Sequence, residues 1–332
     1  MFFSIIVPIY NVELYLDECL NSIKSQIFDD FEVLMIDDGS TDSCAKICKK
    51  YVDLDNRFIY IHKKNEGVVS ARKKGAEIAK GIYVVSIDGD DYVENTFLER
   101  LHHICKDGYD MVAFGYTTID GKRNEIIKNK IDIGEYVGRD VDTIKDSFMY
   151  DKRIKGINTG SLIFSIWSKA VKKDLYRIYQ QRVDNRISKG DDLAVLAGIV
   201  YHCKSIYISD ICDYNYRIRS NSITRDLKNK DFIKQSILRD FLLVNVDDVY
   251  TNQVRVFLLY TTLSLLAVNI NNVNTYREYM GIVKLIDDYN LFKEAVESKI
   301  EKPFFRNKIL IGLIKNKFWN LMYLYYKYLN KK

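Results

Sequence analysis

Only two of the 332 residues are proline, Pro8 and Pro303. No proline-rich linker therefore marks a domain boundary, and no internal repeat or low-complexity segment divides the chain. The chain also lacks a cationic amino-terminal segment followed by a signal-length apolar run, and we expect no charge-free apolar stretch of transmembrane length. With 47% hydrophobic and 29% charged residues, the composition predicts a globular protein with one large and one smaller domain.

Cysteine and histidine are also sparse, and neither is spaced for a metal site. The six cysteines contain no C-x-x-C pair and are too few for a secreted disulfide scaffold, so reduced thiols in a cytosol are expected. Cys44 and Cys48 lie one helical turn apart, but no matching Cys/His pair follows, which favours ordinary helix packing. The four histidines likewise show no ligand spacing.

Acidic residues, in contrast, follow two apolar runs. Asp-Gly-Asp-Asp at 88–91 follows the run 82–87, and the acidic run 37–42 follows the run 33–36. A lone D-x-D is more often a solvated turn than a metal site. In an open parallel sheet, however, the carboxyl ends of the strands face one crevice, where both runs can meet. Carboxylate oxygens suit Mg²⁺ or Mn²⁺, which bridges to a diphosphate and neutralises its charge.

A basic group follows the third apolar run. Asn-Glu-Gly at 65–67 precedes a helical stretch that contains Arg72. An arginine at this place can bind a phosphate through two N–H groups or form an ion pair with an aspartate.

Together with the segment 4–11, these runs resemble, in order, the motif set of the family 2 inverting glycosyltransferases with the GT-A fold, of the bacterial capsule or surface polysaccharide type. The resemblance implies that Asp38 accepts from a uracil N–H, that Asp88 hydrogen-bonds ribose and that Arg72 lies near the diphosphate. Asp90, with Asp88, is expected to hold Mn²⁺ or Mg²⁺. The residues expected to bind the nucleotide sugar are Pro8, Tyr10, Asn11, Asp38, Asn65, Gly67, Arg72, Asp88, Gly89, Asp90 and Arg219.

A further acidic pair, Asp191 and Asp192, begins a helical stretch. Alone, it is most simply explained as a helix cap, because carboxylates are stabilised at a helix amino terminus. Within the resemblance, it matches the family's Glu-Asp motif, whose aspartate serves as catalytic base. Asp192 is therefore the expected base, although Asp191, which replaces the glutamate, is an alternative.

The segment 214–224 resembles the family segment that closes over the donor. Many members carry histidine where this chain has Arg219, so Arg219 is expected to contact phosphate rather than metal. A strand followed by a polar loop is the alternative.

The alternation of apolar runs with helical periodicity predicts an α/β domain over residues 1–225, with a Rossmann-like, mostly parallel sheet flanked by helices. Residues 226–332 are expected to form a helical domain. Within the first domain, strands are predicted at 110–116 and 161–168, a hairpin or loop insertion at 120–138, and a helix starting at Lys169.

The end of the chain is basic. Residues 302–332 carry eight lysines and arginines and no acidic residue, against a net charge of +5 for the chain. A narrow polar stripe recurs there at helical spacing, formed by Asn316, Asn320, Tyr323 and Lys327, and the residues around it are apolar. The wide apolar face must be buried, either on the protein body or a twin subunit of a homodimer, or on an anionic membrane surface. Nucleic acid binding is not expected, because no recognised module is present.

The expected function is metal-dependent, inverting transfer from a nucleotide sugar, UDP-linked, to a glycan or lipid-linked glycan acceptor. Its expected location is the cytoplasm, at the inner face of the plasma membrane if the tail binds lipid. A nucleotidyltransferase is disfavoured because Ile9–Val12 is not a glycine-rich basic loop, and a dehydrogenase because no G-x-G-x-x-G follows the first strand. The retained aspartates disfavour a noncatalytic binding protein.

Overall fold

The computed structural model describes residues 1–121, 123–151, 153, 160–219, 231–271, 273–300 and 305–329. The chain divides into two compact units. The sheet unit comprises Met1–Lys145 and Leu162–Ser220, and the helical unit comprises Asp146–Ser161 and Asn221–Lys332. The expected boundary at 225/226 lies outside the described residues. The membership of Asp146–Ser161 in the helical unit is a finding that the sequence pattern did not predict.

The strands of the described residues are β1 (Phe3–Ile9), β2 (Phe31–Asp37), β3 (Phe58–His62), β4 (Tyr83–Ser86), β5 (Tyr92–Val93), β6 (Met111–Ala113), β7 (Tyr116–Ile119), β8 (Glu125–Ile127), β9 (Gly134–Val137), β10 (Lys169–Lys172), β11 (Ser205–Ile208) and β12 (Tyr214–Arg217). They form an eight-stranded sheet of order β3-β2-β1-β4-β10-β6-β11-β9 and a four-stranded sheet of order β5-β12-β7-β8.

Strands β1 to β4 are parallel to one another in the larger sheet. Every residue of β2 is buried, as is every residue of β1 except Pro8, which is typical of strands covered by helices on both faces. The predicted mostly parallel, helix-flanked sheet is confirmed. Because the carboxyl ends of β1, β2 and β4 lie along one edge, the loops that follow them meet there.

The helices of the sheet unit are α1 (Glu13–Lys24), α2 (Cys44–Leu54), α3 (Val68–Ile78), α4 (Phe97–Cys105), α5 (Val141–Lys145), α6 (Lys173–Arg182) and α7 (Asp191–His202). The predicted inner face of α1 is buried, at Leu16, Cys19, Leu20 and Ile23. The six cysteines are free thiols, and all but Cys212 are buried.

The predicted strand at 161–168 is wrong. The segment is irregular and ends in the 3₁₀ turn Ile166–Ser168, and the strand is β10, where a helix was expected. β10 lies between β4 and β6 and pairs antiparallel with both. Tertiary pairing overrides the local pattern here, because Lys169 opens a central strand although lysine is usually read as a surface residue.

The predicted strand at 110–116 is split at Gly115 into β6 and β7, which belong to different sheets. A Cβ atom at Gly115 would lie 2.4 Å from the carbonyl oxygen of Ile127. Glycine therefore permits the close approach that this change of sheet requires. The predicted insertion at 120–138 includes β8, which forms a hairpin with β7, and β9, which extends the larger sheet.

The helices of the helical unit are α8 (Asp231–Asn245), α9 (Thr251–Asn271), α10 (Tyr276–Asp288), α11 (Leu291–Glu297), α12 (Phe305–Lys315) and α13 (Trp319–Leu324), which continues as a π-helical turn over Tyr325–Leu329. A helical carboxy-terminal region was predicted and is confirmed. Thr275 and Glu278 form a capping box at the start of α10.

The predicted polar stripe of the last helices does not face solvent throughout. The Tyr323 ring packs against Tyr276 and Tyr279 at 5.4 and 5.2 Å, and Lys327 Nζ donates to the carbonyl oxygen of Val273 at 2.6 Å. The stripe was misplaced because helical spacing groups residues on a face without showing which face meets the core. Lys302, Lys331 and Lys332 lie outside the described residues.

The helix Asp248–Ile270 is long and apolar enough, by length and composition alone, to cross a membrane. The span contains Asp248 and Arg255, so the expectation that no charge-free apolar stretch reaches transmembrane length is not contradicted. Since 67% of its most apolar window is buried inside the protein, a core helix of the helical unit is the better interpretation.

Candidate active site

Asn11 ties the loop after β1 to the loop after β2. Its φ of 51° lies in the left-handed region that asparagine tolerates. Its backbone N–H donates to Ser40 Oγ at 3.1 Å, and its Oδ1 accepts from the Thr41 N–H at 2.9 Å. Tyr10 beside it is exposed, and Pro8 lies two residues upstream in β1. The structure thus brings these predicted residues to the first acidic loop.

Asp38 joins the end of β2 to the segment before α3. Its buried carboxylate accepts from Lys63 Nζ at 2.6 Å, from the Gly67 N–H at 2.7 Å and from the Glu66 N–H at 3.1 Å. The exposed Asn65 belongs to the same segment. Asp38, Asn65 and Gly67, predicted separately, therefore lie together.

Arg72 on α3 lies between the second acidic loop and the start of α7. Its Nη1 donates to Asp191 Oδ2 and Asp192 Oδ1, both at 2.7 Å, and its Nη2 donates to Asp88 Oδ1 at 3.0 Å. Its side chain is only 4% exposed, whereas the three carboxylates remain partly open to solvent. Of the two roles that the sequence left open for Arg72, the structure shows the pairing with aspartate.

The Asp192 carboxyl has an altered proton affinity. Burial raises its pKa to about 7, with Asp191 and Asp88 adding to the rise and Arg72 opposing it. The backbone N–H of Ile166 also favours its ionised form. A carboxylate with a pKa near the working pH is suited to accept a proton from an attacking hydroxyl.

The second acidic loop packs closely on the end of β1. A Cβ atom at Gly89 would lie 3.3 Å from the carbonyl oxygen of Pro8, so a larger side chain would crowd this contact. Asp90 forms an ion pair with Arg219. Burial raises the pKa of Asp90, Asp88 adds to the rise, and Arg219 opposes it. Residues 220–224 of the predicted donor-closing segment lie outside the described residues.

Asp91 connects this loop to β12. Its Oδ2 accepts from Tyr214 Oη at 2.7 Å, and its Oδ1 accepts from the Arg217 N–H at 2.8 Å. The Tyr214 oxygen also accepts from the Asp88 N–H at 3.2 Å. Burial raises the pKa of Asp91 to about 8, with contributions from Asp90 and Asp88.

The carboxylates at 88–91 fit a divalent cation. Burial and repulsion from neighbouring carboxylates raise the pKa values of Asp90 and Asp91, so ionising these carboxyls is costly unless a cation offsets the charge. No group of three or more His, Cys, Asp or Glu side chains suited to a metal occurs among the described residues. Mg²⁺ and Mn²⁺ need no such cage where substrate phosphates complete the coordination, so a site of Asp90 with Asp88 stays a prediction.

Three side chains near the site were not singled out from the sequence. Tyr214 links Asp88 to Asp91, Arg217 Nε donates to the carbonyl oxygen of Asp90 at 3.1 Å, and Lys169 is buried at the start of β10. Arg217 and Arg219 both stack over Tyr15, at 5.2 and 5.4 Å. For Tyr214 and Arg217, two tyrosines followed by two arginines within 214–219 were the available signal.

The chain is similar in sequence to known proteins. The model of the family "Glycosyl transferase family 2" matches residues 4–174, which include both acidic loops and Arg72. The putative glycosyltransferase EpsH of Bacillus subtilis is 26% identical over 69% of this chain and 64% of its own length. The minor teichoic acid biosynthesis protein GgaB of the same organism is 27% identical over 91% of this chain and 34% of its own length. The match thus spans less than two thirds of either relative.

The fold is also that of a solved structure. The crystal structure of S. aureus TarS 1-349 in complex with UDP-GlcNAc superposes with a TM-score of 0.71 at 18% identity, covering 100% of this chain and 92% of that chain. This likeness confirms the predicted GT-A fold.

We expect Arg72→Met to destabilise the fold at neutral pH by roughly 3 kcal/mol, because it leaves three partly buried carboxylates without their shared cation. Without Arg72, which opposes the rise, the folded-state pKa of Asp192 moves further above its unfolded value. The folded variant then binds more protons than its unfolded state, so the loss should shrink as the pH falls. Urea unfolding at pH 7.5 and pH 5 measures both effects. The matched control is Arg186→Met, whose side chain is 75% exposed, and an equal loss in the two variants would contradict the prediction.

Proposed function

The chain belongs to glycosyl transferase family 2, and from this we propose that it transfers a sugar, with inversion, from a nucleotide-sugar donor to an acceptor hydroxyl. One observation carries the proposal. The single guanidinium of Arg72 contacts Asp88 in the second acidic loop and Asp192 at the start of α7. A carboxyl suited to accept a proton is therefore bridged, through one guanidinium, to the loop that would hold the diphosphate.

Asp192 acts as the general base in this proposal. The acceptor hydroxyl attacks the anomeric carbon in line with the departing diphosphate, and the Asp192 carboxylate takes its proton as the bond forms. Arg72 orients that carboxylate and, by opposing the rise in its pKa, increases its ionised fraction near neutral pH. Asp191 shares the same guanidinium and is the alternative base.

Negative charge grows on the leaving diphosphate at the opposite end of the reaction. Mn²⁺ or Mg²⁺, held by Asp90 with Asp88, would offset that charge when bound. Arg219, already paired with Asp90, would donate to a phosphate oxygen. Arg217 holds the loop in place through the Asp90 carbonyl oxygen and the Asp91 carboxylate.

We propose a UDP-linked donor. Pro8, Tyr10 and Asn11 would line the nucleotide pocket, and TarS, which shares the fold, was crystallised with UDP-GlcNAc. Asp38 would accept from the uracil N–H. Its two oxygens already accept from Lys63, Gly67 and Glu66, and both oxygens share the Glu66 N–H, so the uracil N–H would displace part of this shared contact.

The proposed acceptor is a glycan or a lipid-linked glycan of a surface polysaccharide, extended in the cytoplasm at the inner face of the plasma membrane. The relative GgaB, described as a teichoic acid biosynthesis protein, supports a cell-surface polymer as the product. A screen of nucleotide sugars with purified protein and Mn²⁺ or Mg²⁺ tests the reaction class. Released nucleoside diphosphate supports it, and transfer of a nucleoside monophosphate to a sugar phosphate would show a nucleotidyltransferase instead.

Asp90→Asn should keep the fold and lower transfer by roughly 100-fold or more, because it removes charge where the diphosphate charge develops. UDP release, measured with and without a chelator, checks this expectation. The matched control Asp174→Asn alters an exposed carboxylate and should behave as the wild type. Near-normal activity and metal response in the Asp90 variant would remove Asp90 from the mechanism.

Asp192→Asn should bind UDP with almost unchanged affinity and lose roughly 100- to 10,000-fold in turnover, because the nucleotide does not need that carboxylate and the acceptor proton does. In the wild type, turnover should fall as the pH drops below about 7, where Asp192 becomes protonated. Asp191→Asn, which alters the other oxygen partner of Arg72 Nη1, is the matched control. If only the Asp191 variant loses turnover while UDP binding persists, the assignment of the base is wrong.

A further inference from the structure

The last helices leave an apolar strip uncovered. Phe318, Leu321, Leu324 and Tyr328, spaced at helical intervals, are between 48% and 64% exposed. We call these four residues the outer strip. Met322 and Tyr326, on the same stretch, are buried in the core of the helical unit. The stretch is therefore fixed to its unit by one side and presents large apolar side chains on another.

The outer strip lies in the most basic part of the chain. Residues 302–332 contain no acidic residue, and Lys308, Lys315 and Lys317 are exposed. Lys317 directly precedes Phe318, so cationic and apolar groups adjoin at the joint between α12 and α13. Lys327, by contrast, is held by the Val273 carbonyl oxygen.

We propose that the outer strip and the neighbouring lysines form a contact with an anionic lipid surface. A bilayer interface accepts aromatic and leucine side chains, and its negative headgroups attract lysine. A second copy of the chain would place a like-charged basic segment against the first, which disfavours self-association at this strip. The surface does not depend on the transfer chemistry, and it would hold the enzyme beside a lipid-linked acceptor.

The test uses the intact chain and phosphatidylcholine vesicles with or without phosphatidylglycerol. We expect flotation with the anionic vesicles only, weakened by raising the salt concentration. Lys315→Glu with Lys317→Glu should weaken binding by about ten-fold or more, and Leu321→Glu with Leu324→Glu should also weaken it. The matched controls are Lys284→Glu with Lys293→Glu for charge and Val244→Glu, at 83% exposure, for the apolar change.

UDP release in solution should be unchanged in all these variants, which separates this surface from the proposed reaction. Absence of binding to anionic vesicles at low salt would overturn the proposal, as would equal losses in the control variants. Conversion of a dimer to a monomer by the leucine changes, without vesicle binding, would assign the strip to a second copy of the chain instead.

A different observation concerns Lys169, which is 1% exposed at the start of β10. Its Nζ donates to Ser168 Oγ at 2.6 Å and to the carbonyl oxygens of Ile163 and Ser165 at 2.9 and 3.3 Å. These contacts use all three ammonium protons. Burial lowers the pKa of Lys169 to about 7, and Asp192 opposes the shift. A buried cation held only by neutral acceptors is costly to the fold, which points to a role beyond packing.

Lys169 holds the segment 163–168, which contacts two parts of the site: Asp192 at the start of α7, and Tyr214, which binds the second acidic loop. The Ile166 N–H favours ionised Asp192, and the Trp167 indole stacks on the Tyr214 ring at 4.5 Å. Tyr214 in turn binds Asp91. We infer that Lys169 is a positioning residue, which fixes this segment and through it the orientation of the base. This inference rests on the proposed function.

Lys169→Met should lower kcat by about ten-fold or more and leave KM for the donor unchanged, and Lys169→Arg should restore part of kcat. In a Trp319→Phe background, Trp167 is the one remaining tryptophan, and its emission should shift to the red in Lys169→Met as the segment loosens. Ser168→Ala, which removes one acceptor, should change both readouts in the same direction if Lys169→Met does not fold. The matched control is Lys172→Met, on the same strand and 40% exposed.

An unchanged emission spectrum would overturn the structural part of the inference. A shifted spectrum with unchanged kcat would overturn the link to the base. Failure of the proposed function would show instead as absence of transfer in the wild type, with the emission shift intact.

Discussion

The contact on which the site depends is the one between the Arg72 guanidinium and the carboxylates of Asp88, Asp191 and Asp192. These residues come from α3, the loop after β4 and the start of α7, so one buried cation fixes the relative positions of three elements. Each carboxylate alone would be costly to bury, and together they would repel one another. The guanidinium makes the arrangement stable enough to form, but its single charge does not offset all three negative charges.

That imbalance gives the site its chemistry. Asp192 keeps a pKa of about 7, above the ordinary value of 3.8, because burial and its acidic neighbours outweigh Arg72. A carboxyl whose pKa is raised by folding binds protons more tightly in the folded state. Its contribution to stability is therefore lost as the pH rises from about 4 to about 7, where it becomes ionised and able to accept a proton. Ionised Asp192, which the proposed reaction needs, is therefore the form that stabilises the fold least. Active sites that shift pKa values for acid–base catalysis commonly have this property.

The sequence predicted the parts of this site whose signals are local. Acidic runs after apolar strands, a helix carrying Arg72, and an acidic pair at a helix start can each be read within a short window. Their convergence follows from the rule that parallel strands share a carboxyl edge. The partners themselves could not be read in this way, because Arg72 and Asp192 are 120 positions apart and the sequence allowed phosphate or aspartate as the partner of Arg72.

The misplaced elements have a common physical cause. The sequence pattern predicts a short helix from Lys169. A lysine rarely opens a buried strand, and the structure shows that Lys169 does so with three acceptors for its ammonium group. The sequence pattern places Tyr323 and Lys327 on a polar stripe of the last helices, yet the two side chains find ring and carbonyl partners in the helical unit. In both places, a polar atom with an internal partner takes an inner position. Sequence patterns predict that polar side chains face solvent, so the prediction fails where another part of the protein supplies the hydrogen-bond partner.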